Sequence, residues 1–254
     1  MQSNPTATSA TPPPVGSLPV LRASGLAGQR GDRPLFDGLE LALEPGSVTW
    51  LRGRNGRGKT SLLRLLAGLA TPTAGEIRIG GEFGGRTPRE TGPAWRRALV
   101  FIGHHNALKD DLDASEALAF LCRLSGTEPT RPQIEAALAR LGVQHKRRAP
   151  VRTLSQGQRR RVALARLALA LHQPLWLLDE PFDALDADGI TALNTLLGEH
   201  AARGGATLLT SHQALSLTDP APREFDLDRH IAAAVPARGA EQARPPRDDA
   251  HGRA

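Results

Sequence analysis

The chain has 254 residues, 40% of them hydrophobic, with a formal net charge of +6 and 32 basic residues, of which only Lys59, Lys109 and Lys146 are lysine. That length and apolar share predict one large globular domain or two small ones, and arginine and alanine enrichment spread along the whole chain argues against a dedicated nucleic-acid patch. The single cysteine, Cys122, excludes an intrachain disulfide and fits a reducing, cytoplasmic setting, while the longest apolar run, near 162–171, is broken by Arg166 and is too short to span a bilayer.

Residues 1–18 are Pro, Ser, Thr and Ala with neither a charged start nor an apolar stretch, so they read as a disordered lead and not a secretory signal. SVTWLR at 47–52 predicts a buried strand, followed by a Gly-rich turn and a helix over 59–69 that stops at Gly68. LVFI at 99–102, PLWLLD at 174–179 and ATLLT at 206–210 have the length and apolarity of strands inside a parallel sheet. Between them, Asp113 with Glu116 and Thr130 with Gln133 form capping-box patterns, the second helix closing at Gly142. A helical insert of about 88–165 within an α/β domain of 19–230 is therefore expected, with 231–254 a second disordered tail.

Gly53-Arg54-Asn55-Gly56-Arg57-Gly58-Lys59-Thr60, followed by Ser61, fits G-x-x-x-x-G-K-[ST] after a strand and at the opening of a helix. In such a loop the backbone N–H groups and the helix N-terminus face a phosphate, Lys59 supplies a point charge, and Thr60 offers a hydroxyl to Mg²⁺. The apolar run 175–178 then delivers Asp179 and Glu180 side by side. Asp179 suits the metal and Glu180 suits a base that polarises the attacking water.

Leu154-Ser155-Gln156-Gly157-Gln158, ahead of an arginine-rich helix, resembles the LSGGQ signature of ABC-transporter ATPases. Asp179 follows Ser155 by 24 residues, Ala184-Leu185-Asp186 resembles the D-loop of that family, and His212 stands 32 residues after Glu180, where the family carries its switch histidine. The resemblance covers about residues 20–215. It implies an α/β P-loop NTPase with a RecA-like parallel-sheet core, an antiparallel β subdomain and an inserted helical subdomain, using ATP and Mg²⁺. It also implies an ATP-dependent head-to-tail homodimer, in which Ser155, Gly157 and Gln158, with Asp186 of the D-loop, meet the ATP held by the other chain. His212 would contact the γ-phosphate. His105 falls where most relatives have the Q-loop glutamine, and the loop from Lys109 to Leu112 would transmit closure to a membrane subunit.

Three further stretches bear on that reading. Arg159, Arg160 and Arg161 read as a solvated or phosphate-facing surface. The family usually stacks an aromatic ring on adenine before the P-loop strand; this chain has Gly28-Gln29-Arg30-Gly31 there and no tyrosine anywhere, leaving the Arg30 guanidinium as a stacking plane. His104 and His105 are adjacent, so their side chains diverge and are poorly placed to share one metal.

Within the ABC proteins, Leu62-Leu63-Arg64-Leu65-Leu66-Ala67-Gly68-Leu69, Gly103-His104 followed by Lys109, Leu112, Glu116 and Leu118, Leu178-Asp179-Glu180-Pro181-Phe182, and Leu209-Thr210-Ser211-His212-Gln213 resemble the ATP-binding subunits of cytochrome c maturation, the haem exporter group. That likeness implies a peripheral ATPase on the cytoplasmic face of the bacterial inner membrane, coupled to a separate transmembrane permease subunit, CcmB-like, and to further cytochrome c maturation membrane subunits. The alternatives are the ATPase of a nutrient importer or lipoprotein-release system, or a soluble nucleic-acid-associated ABC ATPase. The last typically carries two cassettes or a long coiled coil, and neither pattern occurs here, so no nucleic acid is expected as a partner.

Overall fold

The computed structural model of the protein describes residues 19–230; the two tails expected to be disordered lie outside the described residues. The first half holds strands β1 (Leu21–Arg30), β2 (Arg33–Leu43) and β3 (Val48–Arg52), helix α1 (Lys59–Leu66), strand β4 (Ala74–Ile79), short helices α2 (Pro88–Thr91) and α3 (Pro93–Ala98), and strand β5 (Leu99–Ile102). The second half holds α4 (Ala114–Leu124), α5 (Arg131–Arg140), α6 (Gln156–Ala168), β6 (Leu175–Leu178), α7 (Ala187–Ala202), β7 (Ala206–Thr210) and β8 (Arg223–Asp226).

Two sheets result. β2, β1 and β4 form an antiparallel sheet, and β5, β6, β7, β3 and β8 lie in that order in a parallel one. In β2, Leu39, Leu41 and Leu43 are buried while Glu40 and Ala42 are exposed, the period-two pattern of a sheet with one wet face. β6 is buried along its whole length. Its side chains alternate between two cores: Leu175 and Leu177 pack with α1 and the antiparallel sheet, whereas Trp176 and Leu178 pack with the helices of the second half. Each such leucine contributes roughly 1.5–3 kcal/mol on full burial, so this one strand binds both layers of the domain.

Between 88 and 165 the chain holds the short helices α2 and α3, one strand and the helices α4 and α5, with α6 starting at Gln156. Leu99–Ile102, inside the expected span, pairs with β6 as the edge strand of the parallel sheet, and the α4–α6 cluster starts only at Ala114. The strand stands where its apolar run places it, and its pairing register with β6 fixes it in the core. Asp113 caps α4 by accepting from the Glu116 N–H at 2.8 Å, and Glu116 answers by accepting from the Asp113 N–H at 3.0 Å.

Beneath the parallel sheet, His200 of α7 is fully buried. Its ring stacks on Trp176 at 3.8 Å between centroids, with Nδ1 3.1 Å from Thr207 Oγ1 and Nε2 2.8 Å from the Gln173 carbonyl. Burial pushes its pKa down to about 4, so the imidazole is neutral in the fold.

Candidate nucleotide site

β3 ends at Arg52, and the chain turns through Gly53–Gly58 into α1. Gly58 has φ 104°, and a Cβ there would sit 3.1 Å from Leu35 Cβ and Cδ1, so a side chain would strain the backbone and crowd β2. Lys59 lies across the loop, its Nζ donating to the Gly53 carbonyl at 2.7 Å. Asn55, Gly56, Gly58, Lys59, Thr60 and Ser61 line a cavity of about 320 Å³. Gly53 and Arg54 line a larger adjoining cavity of about 710 Å³ that shares Lys59 and His212. Arg57 lines neither cavity: it pairs with Asp228 at 3.2 Å, and the same carboxylate accepts from the Arg54 N–H at 3.2 Å.

The opposite wall is acidic. Thr60 Oγ1 donates to Asp179 Oδ2 at 2.7 Å, and Thr210 Oγ1 donates to Asp179 Oδ1 at 2.9 Å while accepting from the Glu180 N–H at 2.7 Å. The His212 N–H donates to Glu180 Oε2 at 3.0 Å, and its Nε2 lies 3.4 Å from Oε1. Burial raises the Glu180 pKa above the ordinary carboxylate value; His212 and Lys59 pull it down and Asp183 pushes it up. A carboxylate with raised basicity, held at one end of a phosphate-sized cavity, is equipped to take a proton from water. A hydroxyl and a carboxylate converging at Thr60 and Asp179 form the oxygen donor set that Mg²⁺ prefers. Among the described residues, no group of three His, Cys, Asp or Glu side chains is placed to hold a metal ion, so a magnesium site here would use the Thr60 hydroxyl, the Asp179 carboxylate and nucleotide oxygens.

The other predicted residues fall into three places. His104 lines the nucleotide cavity, 4.0 Å from Asp183 through Nδ1. His105 is not brought to that cavity; it lines a cleft of about 470 Å³ behind Thr60 and Asp179, with Arg64, Phe101 and Arg166. The two rings meet edge to face with centroids 5.5 Å apart. Ser155, Gly157 and Gln158 lie at the start of α6, away from the cavity of their own chain: Ser155 Oγ accepts from the Gln158 N–H at 3.2 Å, and Gln158 Oε1 accepts from the Ser155 N–H at 3.0 Å. Gly157 is packed so closely on the D-loop that a Cβ would stand 2.7 Å from the Ala184 carbonyl. Asp186 caps α7 through the Gly189 N–H at 2.9 Å and pairs with Arg161. Arg30 and Leu35 close the far end of the cavity.

Within the arginine triplet, Arg160 and Arg161 are turned inward, while Arg159 stays partly exposed. Arg160 is 3% exposed and donates to the carbonyls of Gly103, Asp179, Glu180 and Pro181 and to Asn106 Oδ1. Arg161 donates to the Leu141 carbonyl at 3.0 Å, and Arg159 to the carbonyls of Leu154 and Arg152. A signal existed: Arg160 stands four and seven residues before Leu164 and Leu167, both fully buried, on one stripe of α6. Thr210, which joins Asp179 to Glu180, is a site residue that the motifs do not reveal: as the last residue of an apolar strand it carries no pattern that marks it.

The ABC transporter family profile matches residues 36–183. A cytochrome c biogenesis ATP-binding export protein of Aromatoleum aromaticum is 46% identical over 86% of this chain and 100% of its own length, and one from Pseudomonas putida is 46% identical over 84% and 98%. Among solved structures, a Pyrococcus furiosus ABC transporter ATP-binding protein superposes with TM-score 0.68 at 24% identity, covering 84% of this chain and 99% of that one. A dimeric ATP-binding cassette in a post-hydrolysis state, bound to ADP and Pi, superposes with TM-score 0.65 at 22% identity over 76% and 88%; both share the fold. With a P-loop, a paired Asp179-Glu180 wall and relatives at this identity over nearly their whole length, the chain belongs to the ABC transporter family as an ATP-binding, ATP-hydrolysing subunit of the cytochrome c biogenesis export group.

Proposed function

We propose that the protein hydrolyses Mg²⁺–ATP between two copies of itself and couples that cycle to a transmembrane permease at the inner membrane, in the haem export or haem-chaperone release stage of cytochrome c maturation. The observation that carries the chemistry is the convergence of Lys59, Thr60, Asp179, Glu180 and His212 on one cavity of about 320 Å³. The coupling role rests on the names and identities of the relatives. No helix among the described residues is long and apolar enough to cross a membrane, so action on one requires a partner.

In this reading the N–H groups of Gly56–Ser61 and the N-terminus of α1 bind the phosphates, and Lys59 moves from the Gly53 carbonyl to the β- and γ-phosphates. Thr60 and Asp179 would hold magnesium, which would offset phosphate charge. Glu180 takes the proton of the attacking water, and His212 keeps its carboxylate aimed while reaching the γ-phosphate. Arg30 stacks on the base above Leu35. Ser155, Gly157 and Gln158, with Asp186, close over the nucleotide of the partner copy, in keeping with their absence from the lining of their own cavity. His105 acts through water from the cleft behind Thr60 and Asp179, next to the loop of residues 109–112 that would meet the permease.

Deleting the gene in its host and staining membranes for covalent haem tests the pathway. Loss of stained c-type cytochromes, restored by the wild-type gene and not by a Glu180→Gln copy, is the expected result. Normal staining in the deletion strain rejects the cytochrome role and leaves the ATPase chemistry standing.

A further inference from the structure

Glu180 occupies an uncommon backbone conformation. Among the described residues only Ala107, Glu180 and Ala184 combine a side chain with a positive φ, and Glu180 has φ 48°. A non-glycine residue holds that conformation only where its surroundings over-determine it. Its N–H is taken by Thr210 Oγ1; its carbonyl accepts from Arg160 Nη2 at 2.6 Å.

Arg160 does more than this. A guanidinium has five N–H donors, and all five are engaged here. Nη2 also donates to the Asp179 carbonyl at 3.0 Å, Nε to the Pro181 carbonyl at 3.3 Å, and Nη1 to the Gly103 carbonyl at 3.2 Å and Asn106 Oδ1 at 3.1 Å. None of these acceptors is a carboxylate, so the contact set is a geometric clamp on backbone and not an ion pair. Burial lowers the pKa of Arg160, and Asp183, Asp179 and Glu180 oppose that shift through space. The clamp spans two segments: the 179–181 turn that carries the base, and the 103–106 loop that carries His104 and His105. It is mounted on α6, the helix capped by Ser155.

We propose that Arg160 is the positioning residue of the hydrolytic site: its fork holds Asp179-Glu180-Pro181 in the strained turn that aims the Glu180 carboxylate, and locks that turn to the Gly103–Asn106 loop and the signature helix. The proposal rests on Glu180 being the general base. Movement of the signature helix or of the 103–106 loop is then felt at the base through one side chain. Lysine keeps the charge but offers three donors from a point, and glutamine offers two donors without charge, so neither reproduces the fork.

The test is steady-state ATPase kinetics and ATP affinity of the full-length Arg160→Lys and Arg160→Gln variants, beside Glu180→Gln and with thermal unfolding as a check on folding. The expected result is a kcat at least 10-fold below wild type for Arg160→Lys and lower still for Arg160→Gln, with KM and Kd for ATP within threefold. If Arg160→Gln does not fold, the lysine variant carries the test. A folded Arg160→Lys with kcat within twofold of wild type, or a parallel loss of kcat and ATP affinity, overturns the proposal. Wild-type turnover by Glu180→Gln removes the base assignment itself and the proposal with it; an inactive Glu180→Gln beside an active Arg160→Lys rejects only the clamp.

Discussion

The two walls of the nucleotide cavity are held by different means. The P-loop wall is made by the six residues Gly53–Gly58 between β3 and α1 and by the first turn of α1, shaped by its glycines, tied back on itself by the Lys59 to Gly53 bond and pinned from outside at one carboxylate, Asp228, through Arg57 and the Arg54 N–H. The opposite wall, from Asp179 to Asp183, is held by groups from distant segments: the side chains of Arg160 from α6 and Thr210 from the end of β7, and the backbone N–H and ring of His212 from the loop beyond it. A wall made mostly from one stretch tolerates most changes elsewhere, whereas a wall held by donors from three separate segments registers movement of every element that contributes one. The acidic wall is therefore the one suited to sense the helical subdomain and the partner copy.

The largest effect expected from breaking the acidic wall is that of Glu180→Gln. Removing a general base lowers kcat by roughly 10²–10⁴-fold, with ATP affinity retained because the P-loop wall is intact; steady-state kinetics and nucleotide titration separate the two. In wild type the acid limb of kcat should lie above the ordinary carboxylate range, since burial raises the Glu180 pKa and the base works only when ionised.

A change that touches neither wall supplies the control. His200 has a folded pKa of about 4 against an unfolded value of 6.5. Below pH 6.5 the unfolded chain binds a proton that the folded one refuses, so stability falls as pH drops from 6.5 towards 4, by about 3 kcal/mol from this residue. Denaturant unfolding across that window checks it, and His200→Phe should flatten that part of the profile.

Lys59→Ala breaks the P-loop wall. A charge-assisted hydrogen bond to phosphate is worth about 1.5–3 kcal/mol, so ATP affinity should fall roughly 10- to 100-fold while thermal stability stays near wild type, because Lys59 bonds only its own loop. Equilibrium binding of ATP measures this. Thr210→Val sharpens the contrast from the other side: it orphans the Glu180 N–H and one Asp179 oxygen, costing about 1–3 kcal/mol of stability and lowering kcat, with ATP affinity little changed. A Thr210→Val protein with normal kcat would mean the acidic wall does not depend on its distant supports.

The same contrast explains what was legible in the sequence. The P-loop, the β6 run ending at Asp179-Glu180, the capping boxes at 113 and 130 and the strand at 206–210 are local patterns, and each stands where its pattern placed it. β8, with the sequence Arg-Glu-Phe-Asp, is a short edge strand whose half-exposed residues have no apolar run, so only pairing with β3 identifies it. Arg160 lies against the usual rule that arginine is rarely buried, although its stripe on α6 points inward. Gly103 follows β5, and the bend there puts His104 on both the nucleotide cavity and the cleft behind it and His105 on the cleft alone; adjacency predicts that the two rings diverge but not which cavity each reaches.

The central claim is that Glu180 hydrolyses ATP held between two copies of this chain, and the most direct measurement is the solution mass of the purified Glu180→Gln protein with and without Mg²⁺–ATP. The account predicts a species of about the 27.1 kDa monomer mass without nucleotide and one of twice that mass with ATP, stable because the nucleotide is not turned over. A protein that stays monomeric at saturating ATP, or that hydrolyses it at the wild-type rate, would contradict the account.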